Sequence, residues 1–285
     1  MTNSPTIRRS QGAHWVGDGF PVHSLFSYGD GPSISPFLLL DYAPPTHFAP
    51  SRTPRGVGPH PHRGFETVTI VYAGEVAHRD SAGHGGTIGP GDVQWMTAAS
   101  GVVHEELHGA AFTKRGGELE MVQLWVNLPA SAKMSPPRYQ DLRDAAFPRH
   151  ELAGGAGSVR VIAGEYGRAR GPARTVTPVH LWDADLRAGG RLPIALPPAF
   201  TKMVLVRRGE LEIDGARVVA GELAQLATGG GEHVVRATTA SAQCLVLAGE
   251  PIAEPVVGHG PFVMNTRAEI ATAIADYQAG RMGAL

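Results

Sequence analysis

The residues whose types and spacing offer the most chemistry are His60-Pro61-His62 and His104-Glu105-Glu106. On an extended strand, positions i and i+2 share a face. The first triplet therefore presents two imidazoles to one side, and the second an imidazole and a carboxylate. His104 follows His62 by 42 residues, enough for about four short strands, so the two pairs can meet inside one closed barrel. Three nitrogens and one carboxylate oxygen suit Fe, Mn, Ni, Cu or Zn and leave positions for water, O2 or substrate. With a single cysteine, and therefore no cysteine pair, a structural zinc site is a poor fit.

Thirteen histidines make a lone His-x-His unsurprising. A second same-face pair at barrel spacing is what gives the set weight. The remaining histidines have no comparable pairing, although His78 and His84 lie near enough in sequence to belong to a pocket. Two carboxylates compete with Glu106. Glu105 faces away from His104 by strand alternation. Glu66, four residues after His62, shares its parity and is the closer rival. Glu106 is preferred.

The elements that must carry these residues are strands. Period-2 alternation with turn punctuation predicts a strand from Phe65, a turn at Ala73-Gly74-Glu75 and the start of that strand's partner. Further strands are predicted at Val93–Met96, Val102–Leu107 and Met121–Val126, with turns at 83–86 and 89–92. The pattern is all-β. It then repeats: Lys202–Val206 leads to Gly209-Glu210, and Gly221-Glu222 precedes Leu223–Leu226, at an offset of 130–135 residues. Two similar β-barrels in tandem follow. The Ser/Pro-rich stretch 129–139 marks the boundary, which divides the chain into 1–132, with the metal site, and 133–285. Under this alignment His60, His62, His104 and Glu106 correspond to Ala195, Pro197, Val234 and Arg236, with His233 one position out of register. The second barrel is thus expected to be metal-free. Near the end, Thr266 and Glu269 form a capping box for a helix over 267–279, assigned to the second domain.

Composition narrows the function classes. The 285 residues are 42% hydrophobic, enough for a core, and 25 Lys+Arg stand against 26 Asp+Glu with no basic block. Electrostatics therefore gives no support for nucleic-acid or anionic-membrane binding. Cys244 lies in an apolar run and reads as inert core. No signal-peptide h-region and no membrane-length apolar stretch occurs, so a soluble, cytoplasmic protein is expected.

Long segments, HPHRGFETVTIV (60–71), AHRDSAGHGGTIGPGDVQWMTA (77–98), GVVHEE (101–106) and HGPFVMNTRAEIATAIADYQAGRMG (259–283), resemble the pirins of the cupin superfamily. The resemblance implies a bicupin: two tandem cupin-type β-barrels with a C-terminal helix and one metal, usually iron as Fe(II), in the N-terminal barrel. Its ligands would fall on His60, His62, His104 and Glu106. Glu66 and Gly74 are separated by seven residues, one more than in the general cupin motif, and 98–103 is a stretch that differs among pirins. The first departure fits the pirin pattern better than the general cupin one, and the second, close to the site, bears on substrate preference. The resemblance further implies a quercetin 2,3-dioxygenase-like enzyme opening a flavonol with O2, with Glu106 as catalytic base. Its rivals are a non-enzymatic iron- or redox-dependent regulator that binds a protein partner, and a cupin isomerase or epimerase.

Overall fold

The computed structural model describes residues 4–229 and 231–285. Strand β1 (Thr6–Arg8) is followed by β2 (Ala13–Val16), β3 (Phe20–Ser27), β4 (Phe37–Phe48) and β5 (Gly56–His62). Then come β6 (Phe65–Ala73), β7 (Val76–Asp80), β8 (Gly85–Ile88), β9 (Val93–Thr97) and β10 (Val102–His108). A short helix α1 (Ala110–Arg115), β11 (Gly117–Asn127) and β12 (Arg138–Leu142) complete this half.

Two sheets build the N-terminal barrel. One has seven strands in the order β12-β9-β6-β11-β4-β3-β2, the other four in the order β5-β10-β7-β8. Branched and aromatic residues dominate the central strands, as fits a pleated, buried surface; every residue from Phe65 to Val71 is buried. The chain turns from β6 into β7 as expected, but β7 is not the partner of β6. β6 pairs with β9 and β11, whereas β7 pairs with β8 and β10. Gly74 (φ 83°) makes this a corner between sheets rather than a hairpin.

The C-terminal barrel repeats the plan. Its seven-stranded sheet runs through Thr6–Arg8, Leu223–Gln225, Thr201–Arg208, Ser241–Gly249, Val179–Arg187, Gly157–Ala163 and Arg149–Glu151. Its four-stranded sheet runs through Arg191–Ile194, His233–Ala237, Glu210–Ile213 and Ala216–Val219. The interior of this barrel is apolar, with Leu192, Ile194, Val204, Val235 and Val246 all buried together. Cys244 belongs to that core, and burial pushes its thiol up to about 12.

The compact units differ from a simple division at residues 132 and 133. One comprises the segment ending at Gln11 with Ala145–Pro251; the other comprises Gly12–Asp144 with Ile252–Leu285. The reason lies in the edges. β1, ahead of the first barrel in sequence, pairs with Leu223–Gln225 in the second, and β12 pairs with β9. The C-terminal helix α2 (Arg267–Gln278) forms as expected, with the Thr266 hydroxyl accepting from the Glu269 amide at 3.2 Å. It packs, however, in the unit of the first barrel: Ile270 and Ala273 share a cluster with Val103 of β10, Phe262, Met264 and Met282. Among the described residues, no helix is long and apolar enough to cross a membrane.

Candidate metal centre

β5 and β10 are antiparallel neighbours, with His60 opposite His104 and His62 opposite Val102. Four strands separate them in sequence, yet the ladder sets both triplets side by side. The three ring centroids lie 4.8 Å (His60–His62), 4.3 Å (His60–His104) and 4.8 Å (His62–His104) apart. One ring nitrogen from each falls within 4.8 Å of the others, an arrangement that can hold a metal ion.

Glu106 is not part of that tight imidazole group. A register shift between His104 and Glu106 places the glutamate opposite Val57 on β5 and His78 on β7. Its carboxylate is buried and accepts from Thr69 Oγ1 at 3.1 Å and Gln123 Nε2 at 3.4 Å. These donors stand on β6 and β11 of the facing sheet, so Glu106 is held across the barrel interior. Burial pushes its carboxyl above the usual range, against the pull of His60, Thr69, His78 and Gln123.

The rivals are accounted for. Glu105 points outward to the Arg79 guanidinium. Glu66 sits on the face of β6 opposite to Thr69, where it accepts from Thr97 Oγ1 at 2.6 Å and lies 3.8 Å from Arg138. It therefore faces away from the imidazoles. His78 lies beside the group, with Nε2 3.3 Å from Asp141 Oδ1. His84 bonds Asp80 at 3.1 Å and stacks on Tyr139 at 5.4 Å.

Several further residues were not legible in the sequence. Thr69 and Gln123 could have been found by parity, since each shares a face with a neighbouring interior residue. Trp125 stacks on Phe65 at 4.3 Å and meets His62 edge-on at 5.2 Å, forming an apolar wall. Tyr139 and Asp141 lie on β12, the first at the end of the stretch 129–139 that reads as a boundary and the second just beyond it, and nothing there announces a site.

The residues fit a cation. His60 Nδ1 donates to the Gly58 carbonyl at 2.9 Å, which leaves Nε2 with its lone pair for a metal. His62 Nδ1 and both nitrogens of His104 are buried without a hydrogen-bond partner. Burial, reinforced by neighbouring imidazoles, holds both rings well below the usual 6.5. Neutral buried imidazoles lacking partners are costly in a folded protein, and a metal relieves that cost.

The equivalent ladder in the second barrel lacks donors. Pairing Ile194 with His233 and Leu192 with Val235 matches His62 with Val102 and His60 with His104. The positions corresponding to His60, His62, His104 and Glu106 are thus Leu192, Ile194, Val235 and Ala237, all buried and apolar. Sequence spacing had pointed instead to Ala195, Pro197, Val234 and Arg236, because the loops before each strand differ in length. His233 is held by Asp214 at 2.5 Å and the Ala227 carbonyl at 3.1 Å, a structural role.

Among the described residues, the duplicated barrel carries a group of imidazoles able to hold a metal in one copy, as a bicupin with a single candidate metal centre would. Residues 19–126 match the Pirin family and residues 181–283 the Pirin C-terminal cupin domain, and the chain belongs to the pirin family. A Pseudomonas aeruginosa protein provisionally named a quercetin 2,3-dioxygenase is 58% identical over 94% of both chains. Human pirin is 37% identical over 88% of this chain and 84% of its own. The crystal structure of quercetin 2,3-dioxygenase from Acinetobacter baumannii superposes with a TM-score of 0.96 at 48% identity, covering 100% of this chain and 99% of that one.

Proposed function

We propose that this protein is a metal-dependent dioxygenase acting on a flavonol, with iron(II) held by His60, His62, His104 and Glu106. The observation that carries the reading is the three-imidazole group on paired strands facing a buried carboxylate. The names of the Pseudomonas relative and the Acinetobacter structure supply the reaction. An iron ion bound there would act as a Lewis acid for a flavonol 3-oxygen and offer open positions for O2.

The chain's own residues do the rest. Glu106 takes the proton of the substrate's 3-hydroxyl, and Thr69 and Gln123 aim its carboxylate toward the imidazoles. Trp125 and Phe65 present a flat aromatic wall beside His62 on which a planar substrate can stack. This wall and the buried strands around it exclude water from the oxygenated ring. O2 adds across C2 and C4 of the flavonol, and the O–O, C2–C3 and C3–C4 bonds break. C3 leaves with its own 3-oxygen as carbon monoxide, and both O2 atoms stay in the depside. The cytoplasm suits such a protein, since its lone cysteine is sequestered in the core.

The test is anaerobic reconstitution with iron, followed by air and quercetin. Loss of flavonol absorbance with release of carbon monoxide is expected, and Glu106→Gln is expected to lower turnover at least about 100-fold. Iron-loaded protein that consumes no flavonol and releases no carbon monoxide contradicts the reading.

A further inference from the structure

Tyr139 is a residue that neither sequence motif contains and that the proposed chemistry does not use. It lies on β12 opposite Met96, and Met96 lies opposite Thr67. Directly opposed residues share a face of a sheet, and alternation puts Thr67 on the face of Thr69, which bonds Glu106. Tyr139 therefore stands on the interior face of the barrel, toward the carboxylate rather than away from it. Its ring is fixed: it stacks on His78 at 5.5 Å and 6°, and on His84 at 5.4 Å and 25°. It also packs against Met96, Ala98 and Val102.

The hydroxyl at the end of this fixed ring is buried and has no hydrogen-bond partner. Leaving a buried donor unmade disfavours the fold, so such groups persist where a further partner comes and goes. Burial above all, and then the carboxylates of Asp80, Glu106 and Asp141, push the phenol's pKa far up, so it stays a protonated donor. A donor beside three carboxylates suits an oxygen that brings little negative charge of its own: a carbonyl, a phenolic hydroxyl or a metal-neutralised enolate.

We propose that the Tyr139 hydroxyl is a ligand-reading group, donating a hydrogen bond to an oxygen of the molecule that enters the chamber beside Glu106. His78 and His84 serve as the stack that holds its ring in place. The inference rests on the reading of this chamber as the binding site, and it adds a specificity determinant on β12 to the residues of β5 and β10.

The test uses Tyr139→Phe, which keeps the ring and its stacking and removes only the hydroxyl. Iron-loaded wild type and variant are titrated under argon with quercetin and, separately, with 4-nitrocatechol, and melting temperature and iron content are recorded. The expected result is a loss of affinity between about threefold and tenfold for at least one probe, as for one removed hydrogen bond. Iron content should be unchanged, and the ligand-free melting temperature unchanged or raised. Unaltered affinity for both probes overturns the proposal and assigns the hydroxyl to a buried water only. A variant that melts far lower or fails to fold overturns it in favour of a structural role. Quercetin that binds neither protein contradicts the flavonol reading, and 4-nitrocatechol then decides for Tyr139 alone. If neither probe binds wild type, the chamber takes no such oxygen ligand and the proposal fails.

Discussion

At the scale of single residues, the proposed chemistry rests on imidazoles kept neutral by burial. His62 and His104 are both held well below 6.5, first by burial and then by neighbouring imidazoles. As pH falls through 6.5 the unfolded rings take up protons that the buried rings refuse, so acid favours the unfolded chain. Stability from this source is complete above pH 6.5 and is lost below it. The unfolding free energy of metal-free wild type, measured relative to metal-free His104→Leu, should therefore fall between about pH 7.5 and 5.5, by up to about 1.4 kcal/mol per pH unit. A difference that stays constant or grows in acid contradicts the assignment. The imidazole group was legible in the sequence because two side chains that face one point from a single strand need a spacing of two. The choice between Glu106 and Glu66 was harder. Parity counts only within one strand, and His62 and Glu66 sit on β5 and β6, which lie in different sheets.

At the scale of elements, two devices fix β5 and β10. Arg63, directly after His62, donates from Nε to the Ser100 carbonyl at 2.7 Å and from Nη1 to Asp276 of α2 at 2.7 Å. Gly64 follows with φ 91°, and a Cβ there would meet the Val263 carbonyl at 1.9 Å, so the chain can turn only as glycine. Lys133 closes the same corner. Its ammonium, drawn down to about 8 by burial, donates to the Gly64 and Val263 carbonyls and to Asn127 Oδ1 at 2.7, 3.0 and 2.7 Å. Lys133→Met strips three buried acceptors of their donor. It should destabilise the protein by about 3 kcal/mol and lower the melting temperature by roughly 6–12 °C. A shift below about 2 °C would show the latch to be dispensable. None of this is readable from the sequence: Lys133 lies in the stretch 129–139 that reads as a boundary, and two of its three acceptors, the Gly64 and Val263 carbonyls, come from distant parts of the chain.

At the scale of the whole molecule, the repeat was legible because both barrels use the same order of strands and glycine turns. Two things hid from it. Peripheral elements are exchanged along the sequence, strand β1 serving the second barrel and helix α2 the first unit, since a three-residue edge strand carries little pattern and the helix's own pattern does not say which sheet it covers. The loops also differ in length, which displaced the equivalents of the ligands onto neighbouring residues. The true equivalents, Leu192, Ile194, Val235 and Ala237, carry no metal-binding atom, so the account predicts one metal site per chain. Elemental analysis of protein purified without added metal, for wild type and for His62→Ala, tests this most directly. Wild type is expected to hold up to one equivalent of a first-row metal, chiefly iron, and His62→Ala to lose it while remaining folded. Full metal retention by the folded variant would contradict the ligand set.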